Sequence, residues 1–138
     1  MFSECISSIF PKKNLKHLYI GGNQIKDISS LVHTPSLQEL AIWSNPIEKF
    51  DVISSLTELK ALYCQYTNVE NLDFLLPLRE LTEMFATGCK ISDVAILSKM
   101  PQLQNLDFAL NKIKKIPFGV AKNFSILKNN DKINEDEI

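Results

Sequence analysis

Leucine recurs at a step of 22 residues along most of the chain, at Leu15, Leu37, Leu59, Leu81 and Leu103. When this leucine is counted as position one, apolar residues also dominate positions four, six, eleven, fourteen and seventeen of each unit. A fixed period of this length predicts stacked supersecondary units, because a single unit cannot bury its apolar side alone.

The first half of each unit has the alternation of a strand. Apolar positions four and six are separated by the more polar positions three, five and seven, which is the period of an extended chain. Each strand returns to the next through a long segment, so neighbouring strands must run parallel. The return segment carries apolar residues three apart, as in Ile25, Ile28 and Leu31, a spacing that suits 3-10 turns. The predicted strands are His17–Gly21, Glu39–Trp43, Ala61–Gln65, Glu83–Thr87 and Asn105–Ala109.

Read as L-x-x-L-x-L-x-x-N-x-L, these units resemble the leucine-rich repeat. The unit length and the segment Ile25–Leu31 are similar to the internalin and phosphatase-regulator types of that family. The resemblance covers roughly residues 1–127 and implies an α/β fold: a right-handed solenoid with a parallel concave sheet and convex turns and 3-10 helices.

The resemblance also implies that the side chain at position nine bonds backbone groups where the chain leaves the strand. The stacked position-nine side chains of successive units would form a ladder of such bonds. Threonine and cysteine can make these bonds less completely than asparagine, so we expect this ladder to be weakest at Thr67 and Cys89. Position nine holds Asn23, Asn45, Thr67, Cys89 and Asn111.

The repeat predicts one leucine-rich-repeat domain over residues 1–128, followed by a frayed polar tail over residues 129–138. The domain divides into a partial unit (1–14), five full units (15–124) and a stub (125–128). The first full strand, near Tyr19, would present an unpaired edge, through which the chain could self-associate. Two interpretations of the ends stay open: a piece of a larger array, or a minimal protein.

Composition and charge narrow the class of protein. The formal net charge is −1, from 15 basic and 16 acidic residues, and Arg79 is the single arginine, which argues against a surface that tracks nucleic-acid phosphates. The sequence has no apolar run long enough for a transmembrane helix and no signal-peptide pattern. A cytoplasmic location is expected if Met1 is the native start. The spacings of Cys5, Cys64 and Cys89 match no zinc pattern, and we expect unpaired thiols in a reducing compartment.

Positions three, five and seven face the concave side and carry unusually many aromatic rings. Half of the area of four such rings is about 300–500 Å², a large part of one side of a protein interface. We therefore predict a surface that binds a protein or peptide. The alternative is that the rings are present only because aromatic residues favour strands. The predicted partner-binding residues are Tyr19, Glu39, Trp43, Tyr63, Gln65, Phe85 and Asp107.

Catalytic chemistry is not indicated. Glu39 and Glu83 lie two strands apart, about 10 Å, on a shallow face without the cleft that a glycosidase pair needs. When the units are aligned, His17 has no serine or cysteine nucleophile beside it. Neither histidine has the spacing of a metal site. No catalytic residue, metal or cofactor is predicted. The main hypothesis is a non-enzymatic protein-binding module. The alternatives are a regulatory or targeting segment of a larger enzyme or surface protein, and RNA binding by stacking, for which a basic surround is missing.

Overall fold

A computed structural model describes residues 12–117 and Val120, and shows one five-stranded parallel sheet whose strands follow one another in chain order. Each residue pairs with the residue 22 positions further on, as His17 does with Glu39 and Phe85 does with Asp107. This is the right-handed leucine-rich-repeat solenoid that the sequence predicts. The strands are β1 (His17–Tyr19), β2 (Glu39–Ala41), β3 (Ala61–Tyr63), β4 (Glu83–Phe85) and β5 (Asn105–Asp107).

The strands are three residues long, and the prediction of five-residue strands is wrong at their carboxyl ends. Hydrogen bonding between units nevertheless continues beyond them, since Ile20 N donates to Ala41 O and Gly22 N donates to Trp43 O, both at 2.9 Å. Position eight then takes a left-handed backbone, and this turn ends the extended segment. Positive φ occurs there at Gly22, Ser44, Tyr66, Gly88 and Leu110.

The return segments contain 3-10 helices, as the apolar spacing predicts. They span Ser29–His33, Asp51–Ser55, Asp73–Leu75 and Ala95–Lys99. Three of them begin after an Asp or Asn whose side chain accepts a hydrogen bond from the backbone N–H two residues later, which favours the turn. The acceptors are Oδ1 of Asp27, Asn71 and Asp93, at 2.8, 2.7 and 2.8 Å. The bond from Ser29 N lowers the pKa of Asp27.

The core lies between the sheet and the convex turns. The predicted apolar columns fill it, and Leu40, Leu62 and Met84 in the middle strands are fully buried. A further buried column, at position twenty, was not predicted because its first member, Thr34, is polar. That threonine is buried with its hydroxyl donating to Leu31 O at 2.8 Å. The column consists of Thr34, Leu56, Leu78 and Met100.

The ladder at position nine shows the predicted weak points. Asn45 Oδ1 accepts from the backbone N–H groups of Asn23 and Ile25, both at 3.1 Å, and its Nδ2 donates to Ile20 O at 3.0 Å. The Thr67 hydroxyl instead donates to Cys64 O of its own unit at 2.7 Å and lies 3.6 Å from Cys89 Sγ of the following unit. Threonine is too short to bond the backbone of the preceding unit as asparagine does, so this step has fewer hydrogen bonds between units, as expected.

Several expectations lie outside the described residues. These are most of the first partial unit, with Cys5, and the whole of the stub and tail over residues 125–138. β1 is the first strand of the described sheet, and self-association through it stays a prediction. Within residues 12–117, no helix is long and apolar enough to cross a membrane.

Candidate functional site: the concave face

The concave face is defined here as the side chains at positions three, five and seven of the units. All seven predicted partner-binding residues lie there. Tyr19 and Trp43 are 62% and 42% exposed, whereas Tyr63 and Phe85 are half-buried and contact each other edge-on, with ring centroids 5.4 Å apart. Four exposed rings were expected on this face. Tyr19 and Trp43 are exposed, whereas Tyr63 and Phe85 are partly covered by each other.

Two tyrosine–glutamate pairs cross between neighbouring strands of this face. The Tyr19 hydroxyl on β1 donates to Glu39 Oε2 on β2, and the Tyr63 hydroxyl on β3 donates to Glu83 Oε2 on β4 at 3.0 Å. The bond to Glu39 raises the pKa of Tyr19. Burial, followed by the bond to Glu83, raises the pKa of Tyr63 to about 12. Both phenols therefore stay neutral donors at physiological pH.

Two alanines lie between these pairs. Ala61 stands between Glu39 and Glu83 in the row at position three, and Ala41 stands between Tyr19 and Tyr63 in the row at position five. Both alanines are buried, at 6% and 4% exposure. The small alanines therefore separate the longer side chains of the face, with the two glutamates about 10 Å apart at the backbone. After burial and the bond to Glu83, the negative charges of Glu83 and Glu39 also raise the pKa of Tyr63.

The indole of Trp43 lies flat against the glycines of the preceding unit. A Cβ added to Gly21 would lie 2.1 Å from Trp43 Cε2, and one added to Gly22 would lie 3.1 Å from Cζ3. A glycine at residue 21 is thus required for this packing. One side of the ring covers the backbone, so the exposed part of the indole is the side that faces away from it.

Tyr66 is a second aromatic residue held by glycine, and it was not among the predicted binding residues. A Cβ added to Gly88 would lie 2.5 Å from Tyr66 Cδ1, so the phenol ring lies against the backbone of the following unit. The ring is 57% exposed and adjoins the concave face at its rim. Gly22 and Gly88, both at position eight of their units, are the signal in the sequence for the left-handed backbone at that position.

Other polar side chains of the face include Asp107, Gln65 and His17. Asp107 Oδ1 accepts from Ala109 N at 3.1 Å. Oε1 of Gln65 is buried and has no donor among the described residues. His17 Nδ1 lies 3.5 Å from Glu39 Oε2. Within residues 12–117, no group of three or more His, Cys, Asp or Glu side chains is placed to hold a metal ion.

Cys64 and Cys89 form a buried pair of free thiols behind the sheet. Cys89 Sγ donates to Cys64 O at 3.2 Å and lies 3.6 Å from Thr67 Oγ1. A hydrogen bond between the two thiol groups, together with backbone N–H groups that point at the sulfur, lowers the pKa of Cys89. The same contact and burial raise the pKa of Cys64. The pair belongs to the position-nine ladder rather than to the concave face.

The fold class is that of the leucine-rich-repeat proteins, and the resemblance seen in the sequence is confirmed. Residues 13–55 match the family model described as Leucine Rich repeats (2 copies). Proteins of this fold are generally protein–protein interaction modules. No curated protein matches the sequence.

Solved structures with the same fold include bacterial leucine-rich-repeat proteins. An internalin (inlF) of Listeria monocytogenes aligns over 97% of this chain at 23% identity, with a TM-score of 0.83. An internalin C2 of the same organism aligns over 70% of the chain at 29% identity, with a TM-score of 0.68. A leucine-rich-repeat protein of Leptospira interrogans aligns over 91% at 18% identity, with a TM-score of 0.72. The chain spans only 40%, 43% and 34% of their respective lengths.

Proposed function

We propose that this chain is a non-enzymatic protein-binding module and that a protein or peptide partner docks on the concave face. The observation that carries the proposal is the position of Trp43. Its indole is 42% exposed, and one side of it is held against Gly21. Exposed Trp and Tyr side chains on a surface are the residue types that dominate binding hot spots.

Strand propensity alone does not account for this ring. It is a sufficient reason for Tyr19, Tyr63 and Phe85, which lie within strands, but β2 ends at Ala41 and Trp43 lies beyond it. The hydrogen-bonded sheet also holds its side chains in order before a partner arrives, so less conformational entropy is lost on binding. Both points favour binding over the alternative that the rings are incidental.

The test is affinity capture with matched baits. The Trp43→Ala variant should fold normally, because the ring lies outside the core, and should weaken partner binding by about 2 kcal/mol or more. Gly21→Ala should act in the same direction, since its Cβ displaces the indole. Glu70→Ala, an exposed change on the convex side, is the control and should retain the partner. A partner that binds the Trp43→Ala bait as well as the wild type contradicts the proposal. Circular dichroism of each bait verifies its fold.

A further inference from the structure

Charge is unevenly distributed over this molecule. In the five described units, positions three, five and seven contain Glu39, Glu83 and Asp107 but no lysine or arginine. The whole chain has a formal net charge of −1 and these three carboxylates contribute −3, so the rest of the chain contributes +2. The concave face is therefore negative on a molecule that is otherwise slightly positive.

The carboxylates of Glu39 and Glu83 keep hydrogen-bonding capacity for a partner. The hydroxyl protons of Tyr19 and Tyr63 are donated to Glu39 and Glu83, so they are already used within the face. Each carboxylate has further lone pairs beyond the one that accepts its tyrosine. The two carboxylates thus keep acceptor capacity and negative charge for a partner, and the complementary partner group is a positively charged donor.

These features converge over Ala61. The buried alanine forms the floor, Glu39 and Glu83 stand on either side of it, and the ring of Tyr63 follows it along β3. An ammonium or guanidinium group placed over Ala61 lies between the two carboxylates, which are about 10 Å apart at the backbone, and is attracted by both charges. A cation beside an aromatic ring gains further from the negative face of the ring.

We propose that the partner inserts one basic side chain, a lysine or an arginine, between Glu39 and Glu83 over Ala61, while an apolar neighbour contacts Trp43. This inference rests on the proposed function, since it specifies the chemistry of a partner bound at the same face. A phosphate backbone or an acidic segment is repelled by the same carboxylates. A basic, extended protein segment is the occupant that the charge distribution favours.

The experiment selects random linear peptides, displayed on phage, against the immobilised protein. We expect the selected peptides to be enriched in lysine or arginine next to an apolar residue. Their affinity is then measured in solution by calorimetry, for the wild type and for each variant. It should fall as salt is raised, because exposed charge pairs are screened.

The informative variant is Glu39→Gln/Glu83→Gln. Glutamine keeps an oxygen that accepts the hydroxyl of Tyr19 or Tyr63, so the two cross-strand bonds are retained while both charges are lost. Affinity for the selected peptides should fall about tenfold or more. The matched control is Glu48→Gln/Glu70→Gln, which removes two exposed charges from the convex side. It should leave the affinity within about twofold of the wild type, since distant exposed charges are largely screened.

The variants separate failure of this inference from failure of the proposed function. Peptides that bind Glu39→Gln/Glu83→Gln as tightly as the wild type, but lose binding in Trp43→Ala, overturn the basic anchor and leave the concave face as the binding surface. Peptides that bind all variants equally overturn both. An equal loss in the Glu48→Gln/Glu70→Gln control also overturns the anchor, because the attraction is then only general.

Discussion

Exchanging the residues at position nine between two units tests how the solenoid is held together. Asn45 Oδ1 accepts two backbone N–H groups of the preceding unit, each at 3.1 Å. In the Asn45→Cys variant, sulfur is a weak acceptor and leaves both groups poorly satisfied. A buried donor without an acceptor costs about 1–3 kcal/mol. The variant should therefore lower the free energy of unfolding by about 2–4 kcal/mol.

The reverse change, Cys89→Asn, should stabilise the protein. At present Cys89 Sγ donates to Cys64 O at 3.2 Å, a bond equivalent to the one that Asn111 Nδ2 makes with Ala86 O at 2.9 Å in the next unit. Asparagine adds an oxygen that can accept from the backbone of the third unit. One or two net hydrogen bonds are worth about 1–2 kcal/mol.

Urea unfolding followed by circular dichroism, with a reductant present, gives both free energies. Cys89→Ser is the control for Cys89→Asn. Its hydroxyl replaces the thiol donor but cannot reach as far as an amide, so its stability should lie between wild type and Cys89→Asn. A destabilised Cys89→Asn, or an Asn45→Cys variant within about 0.5 kcal/mol of the wild type, would refute the assignment of position nine as the ladder that joins the units.

Three further predictions concern the core, the cross-strand bonds and the left-handed column. Leu62→Ala removes a fully buried side chain and should cost about 2–5 kcal/mol in urea unfolding, and a cost under about 1 kcal/mol contradicts the core assignment. The pKa of Tyr63 is raised from 10.0 to about 12 in the folded state, so its contribution is present below pH 10 and is lost as pH rises through about 12. The difference in melting temperature between wild type and Tyr63→Phe should accordingly shrink across that range, whereas a constant difference argues against the raised pKa of Tyr63. Leu110→Gly relieves a left-handed backbone at φ 56° and should raise the free energy of unfolding by about 0.5–1 kcal/mol, which calorimetric melting would detect. A decrease would show that the contacts of the leucine outweigh its backbone strain.

The solenoid could be predicted from the sequence because the leucine step is uninterrupted over five units. Every apolar column repeats the same constraint, so a single exception such as Cys64 does not obscure the pattern. The column at position twenty was missed because it begins with Thr34, whose burial depends on a hydroxyl bond to Leu31 that no hydropathy pattern reveals. Strand length was overestimated because the hydropathy pattern does not show where the extended backbone ends. Alternation continues through position seven, but the left-handed turn at position eight is a backbone property that only Gly22 and Gly88 signal.

The composition of the concave face could also be predicted, whereas its internal contacts could not. Alternation places Tyr19 and Glu39 on the same side of the sheet, but it does not indicate that the hydroxyl of one bonds the carboxylate of the other. The packing of Trp43 on Gly21 depends on a side-chain rotamer and on the absence of a Cβ in a neighbouring unit. Both are long-range facts, which a periodic pattern within one unit does not contain.

The unvarying register of the sheet has a consequence for how such a gene can change. Excision of residues 59–80, one unit, would bring Ala41 beside Phe85 and Leu40 beside Met84, with every remaining pair still in phase. Loss of a single residue inside a strand would instead turn the following side chains to the opposite face. Duplication or deletion of whole units is therefore the tolerated route of variation. Each event lengthens or shortens the concave face by about 4.8 Å and adjusts how much of a partner the protein can span.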